Sequence, residues 1–315
     1  MKNLKHTLAI LVATLFVLTS CETNDDLDPP ISEPFDPPSA EAFKTIQEDA
    51  FNELKQNTSF NAEDGINFQS EAGVSLSISP NCLTLNGNPV TGEVDLEYVE
   101  VFDRGNMLTT NSTTVGEDAN GDRGQLVSGG EFHIKAFQNG EELELGNFCG
   151  MMLEVPTSIT GGVVDDMGPF SGEIDENDNL VWLQQETEFW VGENNNSSLS
   201  YNALVQNFGW FNCDAFYFDP DPKTEIQITV PQGFHNNNSR LYLARVGEAN
   251  SLGFTNGTFP VGLEAYIIFL SVEDGEFRYA IQTITVEDGQ QVIFTLEDTS
   301  IASTEDLTQI INDLP

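Results

Sequence analysis

The sequence predicts an all-β protein of two antiparallel sandwiches, and three observations carry that prediction. Apolar residues alternate with polar ones in short runs: Val74, Leu76 and Ile78; Val94, Leu96 and Tyr98; Phe132, Ile134 and Ala136; Met151, Leu153 and Val155. Successive side chains of a strand point to opposite faces, so this period marks strands with one face buried. Asn139-Gly140, Asp274-Gly275 and Asp288-Gly289 stand between such runs, and an Asx-Gly pair supplies the positive φ angles of a tight hairpin. Almost no helical pattern separates the strands, which argues against a parallel sheet with crossover helices. With 22 Phe and 39% hydrophobic residues in a chain of 315, there is material for a sizeable core.

In chain order, Ser39 is placed to cap a short amphipathic helix, residues 39–57, in which Phe43, Ile46, Ala50, Phe51 and Leu54 recur at spacings of three and four. A single apolar stripe of this kind packs against the neighbouring sheet. The first sandwich is expected over residues 58–191. The Asn- and Ser-rich stretch of residues 192–200 reads as a linker, and residues 201–315 as a second β domain. Its strand candidates are Ile226 to Val230, Leu241 to Val246, Ala265 to Val272, Phe277 to Val286 and Val292 to Leu296. Many short strands with turn signals suit immunoglobulin-like or related sandwiches. A C-terminal helix is predicted from Thr304 to Leu314, with Ser303 and Asp306 as a capping box and Leu307, Ile310, Ile311 and Leu314 as its buried stripe.

Charge restricts the function. Asp and Glu total 51 against 11 Lys and Arg, a formal net charge of −40. A nucleic-acid binder needs a basic face to displace counterions from phosphates, so that class is excluded. Anionic lipid headgroups are repelled by the same field.

The N-terminus carries Lys2 and Lys5, an apolar run from Leu8 to Leu18, and then Leu18-Thr19-Ser20-Cys21. The run is too short to span a bilayer and reads as an export signal, residues 1–20. Leu, two small residues and Cys resemble the lipobox of bacterial lipoproteins, which implies a diacylglycerol and a palmitate-type acyl chain on Cys21 after cleavage. Several acyl chains hold a protein stably on a membrane. Residues 21–38 are acidic and proline-rich without apolar periodicity, the composition of an extended tether.

The strings GVSLSISPNCLTLNGNPVTGEVDLEYVEV and LVSGGEFHIKAFQNGEELEL resemble the N-terminal sandwich of uncharacterised outer-membrane lipoproteins of Bacteroidota-type bacteria. They are also distantly similar to the β-sandwich shared by ankyrins and netrin receptors. Gly209-Trp210-Phe211-Asn212-Cys213-Asp214 resembles a Gly-Trp-x-Asn-Cys-Asp signature of those lipoproteins. The resemblance implies a two-domain β lipoprotein of the outer membrane with no established activity, and Glu22, Asp25 and Asp26 after Cys21 resemble the acidic export tether of surface-exposed lipoproteins of such bacteria.

Candidate chemistry is sparse. His6 leaves with the signal, so His133 and His235 remain, too few for a His-rich zinc or iron centre. His133 lies in an alternating strand opposite in phase to Phe132 and Ile134, which predicts a solvent-facing side chain. The sequence contains no G-x-S-x-G elbow, P-loop or H-E-x-x-H. Calcium is the sharper acidic hypothesis: Asp118, Asn120 and Asp122 alternate beside Gly121 and Gly124, though the EF-hand positions six and twelve are Arg123 and Gly129. Asp175, Asn177 and Asn179 form a weaker second set. With Cys21 lipidated, Cys82, Cys149 and Cys213 remain; the exported compartment permits a Cys82–Cys149 bridge with Cys213 free, the alternative being three unpaired buried thiols. Trp182 and Trp210 read as core. Trp190 is the candidate for exposure, interdomain packing being its expected role.

The expected function is therefore a non-enzymatic, lipid-anchored binding or accessory module, serving an outer-membrane protein assembly or an extracellular polymer, with no cofactor beyond that calcium. The competing classes are a carbohydrate-active hydrolase using a carboxylate pair and a structural surface stalk.

Overall fold

Alternating burial builds the first core between two sheets. This computed structural model describes residues 35–118, 120–176, 178–193 and 198–315, so Cys21, the export signal and most of the tether lie outside the described residues. The larger sheet runs, in order, Gln56–Asn61, Glu93–Val101, Arg123–Gln138, Gly209–Phe216, Gly168–Ile174, Leu180–Gln184 and Val115–Glu117. The facing sheet runs Phe189–Glu193, Leu199–Val205, Met151–Pro156, Ser75–Ile78 and Ile66–Gln69. Val94, Leu96, Tyr98, Phe132 and Ile134 from the first meet Leu76, Ile78, Leu153 and Val155 from the second in one buried cluster. Each such side chain contributes about 1.5–3 kcal/mol on leaving water.

At one end the larger sheet closes on itself. Val115–Glu117 pairs in parallel with Leu180–Gln184 and antiparallel with the start of Arg123–Gln138, so five strands form a ring. Leu126, Phe170, Leu180 and Trp182 form its buried cluster, and the indole Nε1 of Trp182 donates to the Thr113 carbonyl at 2.8 Å. The interior is tight enough to require Gly172, whose missing Cβ would lie 2.7 Å from Leu180 and from Trp210. An immunoglobulin-like sandwich consists of two open sheets; the closed ring sets this chain apart from that arrangement. Where Arg123–Gln138 passes from ring to sandwich, Gly130 takes a φ of 133° and the opposing strand bulges between Asn212 and Asp214.

A third antiparallel sheet runs Gly253–Phe254, Arg240–Arg245, Glu264–Glu273, Glu276–Thr285 and Ser300–Ala302. Asp274-Gly275 turns its central hairpin with φ angles of 52° and 83°, and Asn139-Gly140 does the same in the first sheet with 52° and 83°. On one face of the third sheet lie α1 (Ala40–Glu53), α2 (Arg104–Thr109) and α3 (Thr304–Asn312). Phe43, Ile46, Met107, Leu108, Leu307 and Ile311 from the helices join Tyr242, Ile268 and Leu270 from the sheet. On its other face Phe269 meets Phe234 and Phe294, ring centroids 5.1 and 6.0 Å away. Ser39 caps α1 by accepting from Ala42 N, and Ser303 caps α3 by accepting from Asp306 N, each at 3.1 Å. The buried Arg104 guanidinium donates to the carbonyls of Ile311, Leu314 and Arg245, placing a cation at the C-terminal end of α3.

Three expectations are corrected. Residues 192–200 are not a linker: Phe189–Glu193 pairs directly with Leu199–Val205, and the following strand Gly209–Phe216 returns to the first sheet. Asn and Ser clusters mark hairpin tips as well as linkers, and residues 194–197 of the tip lie outside the described residues. Nor do two separate domains meet there. Val99 and Val101 turn outward from the sandwich strand Glu93–Val101 into the helix-covered core, so the two cores share a strand, and Pro37–Pro315 forms a single compact unit. Finally, Asp288-Gly289 turns no hairpin. Gly289 has positive φ, Asp288 does not, and the following Gln291–Ile293 pairs in parallel with Gln227–Thr229. Helix α2, six residues capped by Asp103, carries too short an apolar pattern to be foreseen.

Candidate functional site

Phe132 points into the sandwich, so His133, the next residue, points out of it. On that outer face its cross-strand partner is Trp210, ring centroid 4.8 Å away. Phe51 of α1 lies against both, 5.5 Å from His133 and 5.4 Å from Trp210. The phase argument chose the correct face, but α1 covers it, so His133 is half-buried and not solvent-facing. Desolvation lowers its pKa to about 4, with the charges of Lys135 and Lys55 adding to the effect. The imidazole is uncharged at neutral pH.

Beside these rings opens a cleft of about 1050 Å³ where the two cores join. Its walls come from α1, the loop around Asn111, the turn at Asp178 and Asn179, and the segments at residues 236–241 and 254–256. Part of the wall is fixed by a hydrogen-bond relay. Gln47 Nε2 donates to Tyr242 Oη at 3.4 Å, Tyr242 Oη donates to Asn111 Oδ1 at 2.8 Å, and Asn111 Nδ2 donates to the Asp178 carbonyl at 3.1 Å. Burial pushes the Tyr242 phenol far up, so it remains a donor. The lining amides of Asn52, Asn236, Asn237 and Asn256 make no side-chain hydrogen bond among the described residues. Four carboxylates, Glu41, Glu48, Glu176 and Asp178, face two cations, Lys44 and Arg240.

In the calcium set the Asp118 carboxylate is turned onto its own loop. The Asp118 carboxylate accepts from Asn120 N at 2.8 Å, Asp122 N at 3.0 Å and Asn120 Nδ2 at 3.2 Å. Those donors hold its pKa low. Acids at alternate positions of a turn are also the signature of an Asx turn, which turns the carboxylate onto its own backbone. Among the described residues no group of three or more His, Cys, Asp or Glu is placed to hold a metal. In the second set, Asn177 lies outside the described residues, and Asp175 accepts from Asn179 N at 3.1 Å and from Arg123 Nη1 at 2.8 Å.

Cys82 and Cys149 are disulfide-bonded, Cα atoms 5.5 Å apart, and Cys213 is a buried free thiol. Trp182 is fully buried, whereas Trp210 stands half-buried in the cleft wall. Trp190 lies on the edge strand Phe189–Glu193 and is 42% exposed; that exposure replaces the interdomain packing expected of it.

Sequence reasoning missed a pair of buried acids. Glu131 and Asp214 are both 0% exposed, and both oxygens of Glu131 and Oδ1 of Asp214 lack hydrogen-bond partners. Asp214 Oδ2 accepts from Asn212 Nδ2 at 2.7 Å, and Asn212 Oδ1 accepts from Ser128 Oγ at 3.0 Å. Desolvation raises both carboxyls well above their ordinary range, and for Glu131 repulsion from Asp214 and then Asp103 adds to it. Neither acid lines the cleft. The signal was the Asn212-Cys213-Asp214 alternation, which puts Cys213 into the sandwich and both polar residues on the outer face.

These features define an all-β protein with an amide- and aromatic-lined cleft at the junction of two cores. No family model, curated protein or solved structure matches the chain.

Proposed function

We propose that this protein is a non-enzymatic binding module of the outer membrane, anchored through Cys21, held off the surface on residues 21–38, and using the junction cleft as its ligand site. The observation that carries the binding role is the cleft itself, whose aromatic wall and unpartnered amides converge on one open space. The anchor rests on Leu18-Thr19-Ser20-Cys21 behind a charged, apolar leader. Among the described residues no helix is long and apolar enough to cross a membrane. The competing hydrolase would need an acid and a base on opposite sides of a sugar bond, whereas the strongly perturbed acid pair, Glu131 and Asp214, is sealed away from the cleft.

Two measurements test the proposal. Cys21→Ala in the full chain should move the protein from the membrane fraction to the soluble fraction; unchanged membrane retention would remove the anchor. Binding is followed by tryptophan fluorescence in a Trp190→Phe background, where Trp210 reports from the cleft. Neutral oligosaccharides, anionic oligosaccharides and short peptides are titrated in turn, and at least one class should shift emission in a way that Trp210→Phe abolishes. Silence toward all three would remove the cleft as a ligand site.

A further inference from the structure

We infer that the cleft binds a neutral carbohydrate chain; this deepens the binding-module proposal and rests on it. The unpartnered amides make the first part of the case. Asn52, Asn236, Asn237 and Asn256 each present two donors and one acceptor without charge. A sugar hydroxyl is itself both donor and acceptor, so a ring of amides pairs with it in either sense. Because these amides are exposed and have no side-chain partner among the described residues, a ligand exchanges only their bonds to water and breaks none within the protein.

The second part is the platform. Trp210, His133 and Phe51 form a contiguous aromatic surface, centroids 4.8 to 5.5 Å apart. The rings are inclined to one another by 50° to 72°, so a sugar would place the apolar C–H face of one pyranose on a single ring, that of Trp210. Covered by α1, the imidazole adds no charge to it. The lining thus holds both kinds of group that a sugar contacts, aromatic rings for its apolar faces and amides for its polar edges.

Charge and size select among polymers. Four carboxylates against two cations line the cleft, in a chain of net charge −40, so uronate or sulfated chains are repelled. A volume of about 1050 Å³ stands at the top of the range of ~300–1,000 Å³ typical of single small ligands, leaving room for several sugar rings. A peptide is the weaker occupant. Extended peptides are captured by adding to a free sheet edge and helical ones by an apolar groove, whereas here amide, charged and hydroxyl side chains are interspersed with the apolar ones.

Calorimetric titration of the full chain carrying Cys21→Ala tests the inference. The probes are tetra- to hexasaccharides of the cello, malto, xylo and manno series, with oligogalacturonate and an oligolysine peptide as the charged arms. At least one neutral series should bind. Trp210→Ala should then weaken it about tenfold, and Asn236→Ala with Asn256→Ala about three- to tenfold each. Both asparagines are exposed, so those variants keep the fold even if Trp210→Ala does not. Trp190→Ala, outside the cleft, should leave affinity unchanged. Neutral binding that ignores Trp210 and both asparagines places the sugar elsewhere and overturns the inference. Binding of oligogalacturonate or oligolysine alone, with a Trp210 response, overturns the inference of a neutral carbohydrate and leaves the cleft as a ligand site. No binding by any probe overturns both.

Discussion

Phe132 and His133 are neighbours in one strand and face opposite ways, Phe132 into the sandwich at 0% exposure, His133 onto Trp210 and Phe51 beneath α1. On the inner face stability comes from apolar area removed from water and from close packing. On the outer face burial acts on groups that carry protons, and it holds His133 neutral and Glu131 toward its protonated form. The same strand thus separates a face that only stabilises from a face whose chemistry responds to surroundings. A ligand site belongs on the second, because there the lining polar groups still have bonding capacity.

The contrast is broken most severely from the inner side. Phe132→Ala should lose about 3–5 kcal/mol in urea unfolding with an unchanged slope; a loss below about 1 kcal/mol would mean that the sandwich is not the main source of stability. On the outer face the signature is pH dependence. His133 has a folded pKa of about 4 against an ordinary 6.5, so as pH falls between those values the unfolded chain takes up the proton first and the native state loses stability. At about 1.36 kcal/mol per pH unit the loss approaches about 3 kcal/mol, and His133→Gln should abolish that component when urea midpoints at pH 7 and pH 4.5 are compared. Glu131 runs the other way. Its folded pKa is raised, so stability falls as pH rises past the ordinary carboxyl value of 4.5. Glu131→Gln should therefore gain about 1–3 kcal/mol at pH 8 and nothing at pH 4; an equal gain at both pH values would show that its proton is not involved. The smallest effect is expected at Trp190, where replacement by Ala should change stability by no more than about 0.5 kcal/mol, in contrast with Trp210.

Much of the fold was legible because each strand's inward set, such as Val94, Leu96 and Tyr98, reports one local geometry. Helices α1 and α3 were legible from caps and stripes that lie within a dozen residues. Val99 and Val101 carried the news that the sandwich continues into a second core, since two further apolar residues break the alternation of Glu93–Val101. The cleft was hidden for a different reason. Asn52, Asn111, Asn236 and Asn256 are individually ordinary surface residues, and their meeting depends on pairings between distant segments. Glu131 and Asp214 were hidden by abundance, two carboxyls among 51 acidic residues.

The five-strand ring has consequences for how fast the chain reaches its final state. It closes through pairings between segments far apart in sequence, Arg123–Gln138 with Gly209–Phe216 and Val115–Glu117 with Leu180–Gln184, so the entropy of closing long loops is spent before those contacts form. Folding should be slow, and the amides around Trp182 should exchange only when the whole unit opens. Were the chain exported unfolded, as proposed above, that delay would keep it threadable until the ring shuts.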